Sequence, residues 1–173
     1  RDFDGASRLG RGGAARDKGR MDLQLYLTAF VTLFVVIDPI GLAPIFIALT
    51  PGQSGAERRR IGARSMVIAA VLLTLFGLTG DAILSAIGIS ISAFRIAGGL
   101  LLFLTALDML FERRTERREG QADGDQPSHD PSVFPLAMPL LAGPGALATM
   151  ILLVGENQGV AHVVMVHLMM LIV

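Results

Sequence analysis

Residues 23–50 read LQLYLTAFVTLFVVIDPIGLAPIFIALT, and the one charged side chain among them is Asp38, near the middle. A run this long and apolar exceeds the roughly 20 residues that an α-helix needs to cross a bilayer core of about 30 Å. The run is not uniform. Asp38 precedes Pro39, and this order places a good N-cap before a good first helical residue. Gly41 and Pro44 follow within two turns. The expectation is a membrane helix broken near its middle, with a second half-helix starting at Pro39. A carboxylate at that depth costs about 3 kcal/mol on insertion scales, so it signals a function or a local partner. Asp38 either caps its own half-helix and no more, or it also meets a solute.

The rest of the chain has the same character. Of 173 residues, 52% are hydrophobic and 17% charged, with a mean hydropathy of +0.59; soluble domains carry about 25% charge. Further apolar runs cover residues 65–87, 91–110 and 132–155, and another begins at Val160. The expected fold class is all-α, a polytopic transmembrane helical bundle whose first partner is the lipid bilayer. Basic and acidic residues balance at 15 each, leaving no net field to recruit nucleic acid. The absence of cysteine excludes disulfides, thiolate metal sites and cysteine nucleophiles. No glycine-rich phosphate loop follows a strand-like segment, so neither a cofactor nor a metal is expected.

The loops suggest an orientation. Arg58, Arg59, Arg60 and Arg64 follow the first run, and Arg113, Arg114, Arg117 and Arg118 follow the third, whereas the turn near Gly88 has no basic residue. By the positive-inside rule the arginine-rich loops are cytoplasmic and the N-terminus is outside, in a bacterial inner membrane. Residues 1–20 carry six Lys or Arg without an apolar pattern, and the text turns apolar at Met21. They read as a non-native or disordered extension. Residues 21–110 then form a first three-helix repeat. Residues 111–131, charged and interrupted by Gly and Pro, form a flexible cytoplasmic linker. Residues 132–173 form a second, incomplete repeat that stops inside an apolar run.

A second break echoes the first. Ala142-Gly143-Pro144-Gly145-Ala146 interrupts the fourth run as Asp38-Pro39-Ile40-Gly41 interrupts the first. Three spans separate the breaks, so the second unit runs in the opposite direction. That is the pattern of an inverted repeat, in which matching broken helices point to the binding site of a secondary transporter. A pair of ordinary proline kinks is the plainer alternative.

Three stretches carry a family resemblance: 38–46 (DPIGLAPIF), 93–99 (AFRIAGG) and 134–145 (FPLAMPLLAGPG). In this order they resemble the MarC family of bacterial inner-membrane proteins, over essentially all of 21–173. The resemblance implies six transmembrane helices built as three plus three, with this chain stopping before the last. Some relatives are described as neutral amino acid transporters, which implies transport of a small neutral solute.

The candidate site follows from the two breaks. Half-helices starting at Pro39 and at Pro144 would both present N-termini to the midplane, each with about half a positive charge and unpaired amides. A zwitterionic amino acid fits, its carboxylate on the amides and its ammonium on Asp38. The candidate solute-binding residues are Asp38, Pro39, Gly41, Gly143, Pro144, Gly145 and, as a gate or carboxylate contact, Arg95. Asp81 and Arg95 each lie seven residues from Gly88, so a turn there would allow a structural ion pair. His162 and His167 are five apart, which turns them away from one another and argues against a metal pair. Gly77, Gly80, Ala93, Ala97, Gly98 and Gly99 mark close helix packing. The leading function is secondary transport of a small neutral solute, with drug or metabolite efflux as an alternative. Of other classes, a hydrolase using Asp38 and Asp81 needs two carboxylates in one site, and a membrane scaffold leaves the breaks without a purpose. No enzymatic activity is expected.

Overall fold

The computed structural model describes residues 23–111, 131–157 and 159–173, and these contain helices and turns. The stretch 1–20, and the linker 111–131 apart from its two ends, lie outside the described residues. Helix α1 spans 23–37 and α2 spans Pro39–Leu49; together they make an apolar span of 27 residues. Helix α3 is Gly55–Ala86 and α4 is Ile91–Leu110. A distorted helix, α5, covers Ser132–Leu141, followed by α6 at Pro144–Gly155 and α7 at Val160–Ile172.

The helix ends follow from local chemistry. Ser54 and Glu57 form a reciprocal capping box at the start of α3. The Arg58 guanidinium donates twice to the carbonyl of Thr50 at 3.0 and 3.2 Å, which ties the α2–α3 turn down. At the other end of α3, Gly88 takes a φ of 78°, and the amides of Ile89 and Gly88 bond back to Leu84 and Ser85. This glycine-closed helix end needs a residue without a Cβ. The 32 residues of α3 reach about 48 Å, well beyond a core of about 30 Å, and its four arginines all lie in its first three turns.

Helix α5 is irregular because of its prolines. Phe134 and Met138 have extended backbones, each immediately before a proline, where the ring disfavours the helical conformation. Wide bonds from the Leu136 amide to Pro131 and from the Ala142 amide to Ala137 recover part of the ladder. Helices α5 and α6 meet at a bend of 57°.

Close contacts fix the register. Gly98 of α4 lies against Leu152 and Ala148 of α6, Gly155 against Ile91, and Gly145 against Leu102, so α4 and α6 run antiparallel. On α3, Gly80 is covered by Ile151 and Gly77 by Met150. Three of the six small residues expected at helix contacts therefore serve there. Ala93, Ala97 and Gly99 are exposed instead.

The core runs from Leu33 and Ile37 through Ala69, Leu73 and Leu140 to Met150, Val166 and Met170. Outside it, Val31, Val71, Leu78, Ile96 and Phe103 are at least half exposed or nearly so, on surfaces that bear no polar cover. Such surfaces suit lipid rather than water. The hydroxyls of Thr50, Ser65, Thr79 and Thr105 each donate to the carbonyl four residues earlier, which satisfies them without a partner helix.

Candidate functional site

Both breaks form where the prolines sit, and they form differently. At the first, Asp38 has φ 55° and ψ 64°, the left-handed region, which among the described non-glycine residues it alone occupies. Aspartate tolerates this region better than most residues. The hydrogen-bond ladder persists on both sides: the Asp38 amide donates to Phe34 at 2.9 Å, and the Leu42 amide donates to Asp38 at 3.0 Å. The side chain closes the start of α2, its Oδ1 accepting from the Gly41 amide at 3.0 Å. A Cβ on residue 41 would fall on the Asp38 carboxylate, so Gly41 leaves the room that the cap fills.

At the second break, Gly143 stands in extended conformation before Pro144, and no side chain caps α6. The first amides of a helix have no partner within it. A Cβ at residue 143 would lie 2.6 Å from the Pro139 carbonyl oxygen, so the crowding here is backbone against backbone. Gly145 comes close to the first break: a Cβ there would be 3.3 Å from Val36 Cγ1 and 4.0 Å from Thr105 Oγ1. The two half-helix starts therefore lie at one level of the bundle, between α1 and α4.

Below this level, towards the Arg58 end, opens a cleft of about 440 Å³. Ile37, Pro39 and Leu73 line it near the breaks, Leu141 and Val173 beside them, and Ser65 further down. Pro39 is thus the candidate residue that faces the cleft. The Asp38 side chain, turned over Gly41, is half-buried next to it.

The structure groups Asp38, Pro39, Gly41, Gly143, Pro144 and Gly145 around this level, and places Arg95 elsewhere. Arg95 is exposed on α4, seven residues nearer the Gly88 end than Leu102, which touches Gly145. Asp81 is exposed on α3 at that same end. The approach of Gly145 to Val36 has no signal in the sequence, because it depends on how α1 and α6 cross.

Comparison with known proteins identifies the lineage. A UPF0056 membrane protein of Methanocaldococcus jannaschii is 40% identical over 140 residues, 80% of this chain and 61% of that protein. One from Archaeoglobus fulgidus is 40% identical over 147 residues, 84% of this chain and 69% of its own length. YhcE of Escherichia coli, also a UPF0056 membrane protein, is 35% identical over 132 residues, 75% of this chain and 61% of its own. The chain thus spans about three fifths of the first of these relatives. No solved structure matches. The family model described as MarC family integral membrane protein matches residues 23–173, and the chain belongs to that family.

Proposed function

We propose that this multi-pass membrane protein is a secondary transporter of a small neutral solute, such as a zwitterionic amino acid, bound where α2 and α6 begin. The observation that carries the reading is the contact of Gly145 with Val36, which sets two helix starts side by side at one depth. Broken helices in corresponding positions of two halves are the usual sign of a transporter site. The left-handed Asp38 adds to it, since strained backbone gathers at functional sites. The uncapped start of α6 suits the solute carboxylate, Asp38 suits its ammonium, and the cleft offers a path from the Arg58 end. The basic loops favour that end as cytoplasmic and the N-terminus as outside, in an inner membrane. Asp81 and Arg95 serve assembly at the Gly88 end in this reading.

An aspartyl hydrolase gains no support. Asp81 lies eight residues along α3 from Leu73, roughly 12 Å from the level of the breaks, so the two carboxylates do not share a site. The test is uptake by the purified full-length protein in liposomes, against a panel of labelled amino acids, sugars and drugs. Saturable movement of a neutral amino acid supports the reading; movement of apolar drugs alone turns it towards efflux, and no movement defeats it. Orientation is read by single cysteines placed in this cysteine-free chain. A cysteine beside Arg58 that is labelled from outside intact cells would reverse it.

A further inference from the structure

The cleft at the Arg58 end is walled by hydrocarbon. Among the described residues that line it, Ser65 has the one polar side chain, and its hydroxyl donates to the Ile61 carbonyl at 2.9 Å. Ala69, Leu73 and Met170 form a buried floor, whereas Ala43, Met66 and Leu171 form an exposed rim. The cleft therefore opens sideways, through an apolar surface of the bundle. Along α3 it runs from Gly62 to Leu73, about 16 Å at 1.5 Å per residue.

Charge at the mouth is sorted by helix face. At 3.6 residues per turn, Arg59 shares one line of α3 with Met66 and Ala70, seven and eleven residues further on, and both of these line the cleft. The residues three and four away from Arg59 are Gly55, Ala56, Gly62 and Ala63, so no charge on its own helix face offsets the exposed guanidinium. Glu57 and Arg64 lie together on the opposite face, in line with Val71. One line of α3 thus joins a cation to an apolar slot.

We propose that the cleft holds an acyl chain of an anionic phospholipid whose phosphate is bound at Arg59. The two parts of such a lipid match the two parts of that line. Basic pockets between membrane helices seat anionic headgroups, and a guanidinium can pair with a phosphate through two parallel N–H bonds. The apolar stem of Arg59 lets its charge reach the headgroup while the chain lies along Met66 and Ala70. A polar ligand finds no side-chain donor to replace its water here. The site does not rest on the transport reading, although a chain held here lies across the path from the Arg58 end which that reading uses.

The test uses the full-length protein in phosphatidylcholine vesicles containing a trace of phosphatidylglycerol whose acyl chain bears a photoreactive diazirine. The same diazirine chain on phosphatidylcholine is the uncharged reference, and peptide mass spectrometry locates the adducts after illumination. Met66 and Val71 are equally exposed, at 61% each, and Val71 follows Arg64 at the spacing at which Met66 follows Arg59. Val71 therefore reports ordinary lipid contact. Labelling around Met66 and Ala70 should saturate and favour phosphatidylglycerol about fivefold, equivalent to the roughly 1 kcal/mol that one arginine contributes near anionic lipid. Labelling around Val71 should not distinguish the two probes. Arg59→Gln should remove the preference, and Arg64→Gln, with the same change in net charge, should keep it. Ala43→Phe, which fills the cleft from its open rim, should remove the cleft adducts of both probes and leave those at Val71. No preference at Met66, or one lost equally in both arginine variants, reduces the attraction to general surface charge and overturns the proposal. An unlabelled cleft beside a labelled Val71 shows that another part of the full-length protein or a second copy covers it, and overturns the proposal as well.

Discussion

The start of α2 and the start of α6 share a design in sequence and diverge in structure. Each has a proline at its first position and a glycine close behind, but the residue before the proline is Asp38 in one and Gly143 in the other. The first break keeps the chain within a single span of 27 residues and fills its own N-terminus with a carboxylate. The second bends by 57° and leaves its N-terminus without a side-chain cap. A helix N-terminus is a partial positive charge, which the Asp38 carboxylate offsets at α2 and nothing in the capping position offsets at α6. One residue therefore decides whether a break presents negative or positive potential. Side by side, the two starts carry opposite signs, which is what the proposed zwitterionic solute would require.

The largest effect is expected at the second break. In Gly143→Ala the new Cβ meets the Pro139 carbonyl, a backbone atom that cannot swing aside. The bend has to open, at about 3 kcal/mol, the upper end of ordinary overpacking costs. The thermal midpoint of the purified protein should fall by several degrees and solute binding should disappear. If Gly143→Ala is as stable as the parent, the bend is not needed and the two breaks are alike after all.

Substitutions of Asp38 separate its two roles. Asp38→Ala loses the cap, about 1 kcal/mol, and adds about as much for a left-handed alanine. Asp38→Asn caps nearly as well and tolerates the same backbone, so its stability should stay within about 0.5 kcal/mol of the parent. It removes the counter-charge for an ammonium, so uptake of a zwitterion should fall at least tenfold, about 1.4 kcal/mol. Unchanged affinity and rate in well-folded Asp38→Asn would reduce Asp38 to a cap. Gly41→Ala comes next, because the atom in its way is the end of a side chain. The carboxylate can rotate off, at the cost of the cap, so the loss should be about 1 kcal/mol, with binding weakened as the carboxylate is displaced. A Gly41→Ala protein that binds normally would show that the carboxylate need not sit where the structure puts it.

Much of this was legible because membrane helices state their limits in one dimension. The run at 23–50 and the prolines at 39 and 144 placed the helix starts, and the turn at Gly88 fell where a residue with positive φ was wanted. The small residues were legible only in part. Gly77, Gly80 and Gly98 face neighbours, whereas Gly99 faces open space, since composition does not say which face of a helix meets another. Three-dimensional facts stayed hidden: the carboxylate folded over Gly41, the distortion of α5 by paired prolines, the approach of Gly145 to Val36. Spacing sets the angle between His162 and His167 and argues against a metal pair, but it does not reveal that the carbonyls of Leu153 and Val163 each claim one ring nitrogen.

The smallest effect belongs to a third helix start, which serves as the control for the other two. At the beginning of α3 the Ser54 hydroxyl and amide both donate to the Glu57 carboxylate, and these bonds hold its pKa below the ordinary value of 4.5. A lowered carboxylate pKa contributes stability that is complete above the unfolded value and is lost as the pH falls through the folded one. Glu57 is fully exposed, so water screens most of that contribution. Glu57→Gln should therefore be slightly less stable than the parent at neutral pH, and the two should converge as the pH drops below 4. A scan of thermal midpoints from pH 7 to pH 3 reads this directly. Neither Glu57→Gln nor Ser54→Ala should alter solute binding at neutral pH, because this N-terminus is filled by its own side chains and stands at the opposite end of α2 from the Asp38 break. If either variant weakened binding as much as Asp38→Asn does, the position of a helix start within the bundle would not matter. The contrast between the two breaks would then say nothing about a site.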